Sequence, residues 1–187
     1  MKHTIQKLKR TSKVLSLLLR HRPEAANIKL DKEGWANVDE LIEKVSRRFH
    51  PVDHDLIKVV VETNDKQRFS FSEDGLKIRA NQGHSIPVDL GLTPIEPPEY
   101  LYHGTAETNV DAILEKGILK GSRQHVHLSL DKVTAEKVGI RHGKPIILNI
   151  RSGQMHRDGI HFYKSENDVW LTDFVSAQYI AFKRSNE

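Results

Sequence analysis

The chain has 187 residues, 37% of them apolar and 29% charged, with a formal net charge of +4 and no cysteine. This length suffices for one large domain or two small ones, and the lack of cysteine excludes disulfides, thiolate-ligated zinc and thiol catalysis. The longest apolar runs, "VLSLLL" and "PIILNI", are too short to span a bilayer, and the basic start "MKHTIQKLKR" lacks the apolar core of a secretion signal, so a cytoplasmic protein with no membrane partner is expected.

Through residue 64 the apolar residues recur at helical spacing: Val14, Leu15 and Leu18, then Val38, Leu41, Ile42 and Val45, then Ile57, Val60 and Val61. Asn37, three residues before Glu40, predicts a capping box for the second helix, and Asp53 or Asp55 can cap the third. From residue 68 the period becomes two. Phe69 and Phe71 share a face, Ser-Glu-Asp-Gly turns the chain at 72–75, and Leu76, Ile78 and Ala80 alternate with Lys77 and Arg79. Helices followed by a hairpin predict a winged-helix lobe over residues 1–92.

Pro94, Pro97 and Pro98 stand too close together for a helix or a central strand and set the lobe boundary. Over residues 93–187 short strands ("YLYHG", "HVHLSL", "PIILNI", "IHFYK", "DVWLT", "YIAFK") are interspersed with two helices. One runs from Asn109 to Lys116 and ends at Gly117; the other is opened by Asp131. The expected fold class is α+β in both lobes.

Three stretches gather chemistry-bearing side chains. "LLLRHRPE" sets Arg20 and His21 in the last turn of a helix, because Pro23 disfavours helical geometry before it; the helix macrodipole alone also favours cations there. "IRANQGHS" breaks from a half-buried strand carrying Arg79 into a run of small polar groups that bury almost nothing. "RQHVHLS" puts Arg123, His125, His127 and Ser129 on one strand face and Val126, Leu128 and Leu130 on the other. Such a face is either solvated or in contact with an anion or aromatic ligand. His-x-His together with His103 also raises a three-imidazole metal site, although no nearby carboxylate is present in sequence to orient the strand histidines. Phosphate-binding glycine loops are absent, which leaves arginine forks to hold a phosphate-bearing ligand.

"SKVLSLLLRHRPE", "GWANVDELI", "IRANQGHS", "LYHGT", "RQHVHLS" and "DVWLT", in this order and spacing, resemble the RNA 2′-phosphotransferase family, the tRNA 2′-phosphotransferases of splicing among them. The resemblance runs from about Ser12 to Phe182. It implies an N-terminal winged-helix RNA lobe and a C-terminal lobe of the ADP-ribosyltransferase fold that binds NAD. It implies transfer of an internal RNA 2′-phosphate to NAD, which is consumed as co-substrate, through an ADP-ribosylated RNA intermediate, with release of nicotinamide and ADP-ribose 1″,2″-cyclic phosphate. The family's catalytic Arg-His-Arg-Arg set falls on Arg20, His21, Arg79 and Arg123, with "NQGHS" shaping the cleft between lobes. "LYHGT" resembles the His-Gly-Thr of ADP-ribosyltransferases, which makes His103, Gly104 and Thr105 NAD-binding candidates. His127 falls where related transferases place a tyrosine beneath nicotinamide, with Ser129 nearby. The late catalytic glutamate of protein-modifying transferases has no counterpart around "NDVWLTD". No metal is implied, and a monomer is expected. Two rival classes are a non-enzymatic winged-helix nucleic-acid binder and a His-ligated metal hydrolase; the first leaves the arginines of both lobes unexplained, and chelation separates the second.

Overall fold

The computed structural model describes residues 4–182, which form two compact units, one ending at Gly91 and the other beginning at Leu92. The mixture of helices and small antiparallel sheets is α+β. Among the described residues no helix is long and apolar enough to cross a membrane.

In the first unit, α1 (Ile5–Arg20) is capped by Thr4, whose side chain accepts the Lys7 N–H, and its Thr11, Leu15, Leu18 and Leu19 are buried. α2 (Val38–Arg48) starts at Asn37, whose side-chain oxygen accepts the Glu40 N–H at 2.9 Å. The Glu40 carboxylate pairs with Lys44 one turn on, so the capping reads as an Asn cap with a helix-face ion pair. α3 (His54–Glu62) is capped by Asp53 rather than Asp55, through the Leu56 N–H at 2.8 Å. The two-residue β1 (Ala36–Asn37), with β2 (Phe69–Phe71) and β3 (Lys77–Ala80), makes a sheet in the order β1-β3-β2, with β3 antiparallel to both neighbours. Leu15, Leu18, Leu41, Leu56, Ile57, Phe69 and Ile78 meet in one core. Leu76 departs from the expected alternation. It lies in the bend before β3 and is 60% exposed, because the hairpin turn extends one residue further than the Ser-Glu-Asp-Gly signal.

The second unit carries two sheets. β4 (Leu101–Ala106), β6 (Pro145–Ile150) and β9 (Ile180–Ala181) pair in the order β4-β6-β9; β5 (Val126–Leu128), β8 (Trp170–Thr172) and β7 (Tyr163–Lys164) pair in the order β5-β8-β7. A further bridge joins Tyr102 to Ser129 between the sheets. α4 (Val110–Lys116) ends at Gly117, α5 (Lys132–Gly139) is capped by Asp131, which accepts the Thr134 N–H at 2.7 Å, and α6 (Ser152–Arg157) follows β6. Leu101, Leu128, Leu148, Ile150, Met155 and Phe162 centre the core. Several strands are shorter than their apolar patterns predict, and Lys183 at the end of "YIAFK" lies outside the described residues.

Candidate functional site

In the first unit α1 ends at Arg20, and His21 is its C-cap, with the His21 and Arg22 N–H groups both closing on the Leu17 carbonyl. The segment after β3 returns to this helix end: the Ser85 N–H donates to the Arg20 carbonyl at 2.9 Å, and the Ser85 hydroxyl bonds His21 Nδ1 at 2.9 Å. Arg20 lies against the ring of Phe69 and donates to the Arg68 carbonyl, which also accepts the Asn81 N–H. Gly83, at φ +86°, sits beside the Arg20 guanidinium; its left-handed backbone favours glycine there. Arg79 projects from β3 over the ring of Trp35, 4.4 Å from its centroid, an arrangement that attracts a cation to the aromatic face. The macrodipole reading of Arg20 and His21 therefore explains only their place on the helix, not these loop contacts.

At the centre of these residues is His84. It is 1% exposed, and neither ring nitrogen has a hydrogen-bond partner among the described residues. Burial pushes its pKa down to about 4, aided by the positive charges of Arg20, His21 and Arg79. The imidazole is thus neutral at pH 7, with three cationic or protonatable groups facing it. Asn81 is also buried, its Nδ2 donating to the Gln67 carbonyl at 2.7 Å and its Oδ1 without a partner among the described residues. A cluster with this much positive charge and unsatisfied polarity is suited to an anion with several oxygens.

In the second unit His103 stands on β4 and donates from Nδ1 to the His127 carbonyl at 3.1 Å. Arg123 donates to His127 Nδ1 at 2.5 Å, which puts the His127 ring proton on Nε2. Strand alternation does not bring Arg123 there. β5 covers only Val126–Leu128, and residues 121–125 form a turn and bend, so Arg123 reaches His127 by its side chain alone. Leu130, expected on the apolar face, is 59% exposed for the same reason. His125 packs against Tyr163, ring centroids 5.7 Å apart, and burial pushes its pKa down. Among the described residues no group of three or more His, Asp or Glu side chains could hold a metal ion.

Gly104 has a packing reason to be glycine: a Cβ there would lie 1.7 Å from the Ala135 carbonyl oxygen of α5. Its backbone has a further property. Tyr102 exchanges both backbone hydrogen bonds with Ser129, and polar backbone groups alternate sides along a strand. Gly104 therefore presents its N–H and C=O on that same edge of β4, opposite β6. An amide-bearing ligand beside His103 would meet one donor and one acceptor in register. Thr105 is buried and its hydroxyl accepts from Asn109 Nδ2 at 3.3 Å, in the turn after β4.

The site residues named from sequence thus fall in two groups, Arg20, His21 and Arg79 in the first unit and His103, Gly104, Thr105, Arg123, His127 and Ser129 in the second. His84, Asn81, Ser85 and Trp35 join the first group without having been singled out individually. The polar run "NQGHS" was the available signal, but only the fold distinguishes a buried histidine from a solvated one.

Residues 6–174 match the RNA 2′-phosphotransferase, Tpt1 / KptA family. The chain belongs to that family. It is 58% identical to a probable RNA 2′-phosphotransferase of Flavobacterium johnsoniae, over 94% of this chain and 96% of the relative. It is 55% identical to one of Acaryochloris marina, over 93% and 96% of the two chains, and 46% identical to one of Shigella boydii, over 96% and 98%. The RNA 2′-phosphotransferase match takes in all four expected catalytic positions and both groups of site residues, including "NQGHS" with its buried His84.

Proposed function

We propose that the chain is an NAD-dependent RNA 2′-phosphotransferase that removes an internal 2′-phosphate, of the kind left at a tRNA splice junction. The observation that carries this reading is the cluster of Arg20, His21 and Arg79 whose charges act on a neutral, buried His84, a constellation with the charge and donors a phosphate dianion needs. Helix, strand, two helices and two strands, with the sheet ordered β1-β3-β2, support reading the first unit as a winged helix. The edge of β4 beside His103 supports reading the second as an ADP-ribosyltransferase-like NAD lobe.

Bound NAD supplies an electrophilic sugar carbon with a neutral leaving group. In the first step an oxygen of the RNA 2′-phosphate attacks C1″ of the nicotinamide ribose, the C1″–N bond breaks and nicotinamide departs. The nucleophile is already anionic, so the protein's contribution is positioning: Gly104 offers its backbone N–H and C=O to the nicotinamide amide, His103 contacts the adenosine-side ribose, and His127 lies beneath the nicotinamide ring. In the second step the ribose 2″-hydroxyl attacks phosphorus and the bond to the RNA 2′-oxygen breaks. Cyclic phosphate and a 2′-hydroxyl result, the proton of the attacking hydroxyl balancing the one gained by the RNA. Negative charge then concentrates on phosphoryl oxygens, where Arg20, Arg79 and Arg123 stabilise the transition state more than the ground state. His21, oriented by Ser85 at 2.9 Å, donates toward the phosphoryl or departing oxygen.

The division of labour is testable. Arg20→Ala, His21→Ala and Arg79→Ala should each slow the second step by about 10²–10³-fold, the scale for removing one donor from a developing oxyanion, and slow the first step less. RNA carrying ADP-ribose on its 2′-phosphate should accumulate, labelled from adenylate-labelled NAD. Variants that bind NAD and RNA yet leave substrate untouched, with no labelled RNA at any time, would assign these residues to the first step instead.

A further inference from the structure

A groove of 740 Å³ runs along α1 in the first unit, walled on its other side by the end of α3 and the turn that leads to β2. His21 lines one end of it and Ile5 lies toward the other. Its charged lining is lopsided: Lys9, Lys13, Lys66 and Arg68 against the single carboxylate of Asp65. Lys9 and Lys13 are exposed and one helical turn apart, and the line from Lys9 to His21 covers about 18 Å at the rise of an α-helix. Leu8, Leu17 and Val60 give the floor apolar character. The far wall is fixed: Asn64 donates to Ser12 on α1 and accepts from Arg68 at 2.9 Å. The Arg68 carbonyl in turn receives Arg20, so the groove wall and the cationic cluster share one backbone segment.

The outer face of α3, where a winged helix would offer a recognition surface, has a different character. Lys58 pairs with Glu62 at 3.8 Å, His54 pairs with Asp39 at 2.8 Å, and Asp55 adds a further carboxylate. That face has little net attraction for a polyanion.

We infer that the α1 groove, not the outer face of α3, is the track for single-stranded RNA flanking the 2′-phosphate, with backbone phosphates on Lys9, Lys13, Lys66 and Arg68 and riboses or bases on the apolar floor. The inference rests on the reading that places the reacting phosphate at His21. Cations spaced along a groove bind a strand by displacing its counterions, without regard to sequence. The 2′-phosphate therefore supplies the selectivity and the groove supplies affinity.

The test is a binding measurement without NAD. A dinucleotide with an internal 2′-phosphate is compared with a longer single strand carrying the same junction at its centre. The wild-type chain should prefer the longer RNA by about tenfold or more at low salt, with a steeper salt dependence. Lys9→Glu with Lys13→Glu should bring that preference close to unity and reduce the salt slope by about 1.4, the value for two single-strand phosphate contacts. Lys58→Glu, the same kind of charge reversal on the outer face of α3, should keep the preference. No preference in the wild-type chain, retention of it in the double variant, or equal loss in Lys58→Glu would each overturn the inference. Its failure is separable from failure of the proposed reaction, since a chain that shows the groove's length preference yet never transfers phosphate to NAD refutes only the reaction.

Discussion

A histidine enclosed by two arginines and a second histidine resists protonation, and this governs how the first unit responds to acid. His84 has its pKa pushed down to about 4 from the ordinary 6.5, first by burial and then by Arg20, His21 and Arg79. Between those values the unfolded chain binds a proton that the folded chain refuses, so stability is complete above about pH 6.5 and falls as the pH drops toward about 4. His50 shifts the same way, through burial and the charges of Arg10 and Lys7. Chemical denaturation at a series of pH values should show wild-type stability declining over that window, and His84→Gln should flatten the decline. An unchanged slope in the variant would mean that His84 is not held neutral by its surroundings. Phosphate bound among the same cations would reduce their field at the imidazole, so the ligand-free protein is the state in which to measure this.

At the scale of the elements, the contact between β4 and α5 is the least forgiving in the second unit. Gly104 admits the Ala135 carbonyl where any side chain would collide with it, and a backbone atom cannot swing aside as a flexible side chain can. Gly104→Ala should cost at least about 3 kcal/mol, in the upper range for overpacking, seen as an early thermal transition. A variant that melts like wild type would show that α5 adjusts at little cost. Legibility from sequence followed the same physical line. α1, α2 and α3 were readable because each buries one stripe at helical spacing; Asn37 announced the cap of α2 and Asp131 that of α5, while Asp53 was one of two candidates for α3. β5 was readable as an alternating strand and β7 and β9 as short strand stretches, all longer than what forms, since the two or three residues that actually pair are chosen by the neighbouring strand. Arg123 shows the cost: alternation put it on a strand face, whereas a bend carries it and its side chain finds His127. His84 was invisible individually because burial among cations arises only when the loop after β3 folds back onto the end of α1.

For the whole molecule, the proposed reaction draws on both units: the cations around His84 in the first would hold the phosphate, and the edge of β4 in the second would read the nicotinamide amide. The chain belongs to the RNA 2′-phosphotransferase family, and the partner that accepts the phosphate is the point on which the proposed mechanism turns. The most direct measurement incubates the full chain with an RNA bearing one internal 2′-phosphate, with and without NAD, and identifies every product by mass. The proposed reaction gives 2′-hydroxyl RNA, nicotinamide and ADP-ribose 1″,2″-cyclic phosphate in equal amounts, and no product when NAD is withheld. Loss of the 2′-phosphate without NAD, or its appearance as free inorganic phosphate, would contradict it.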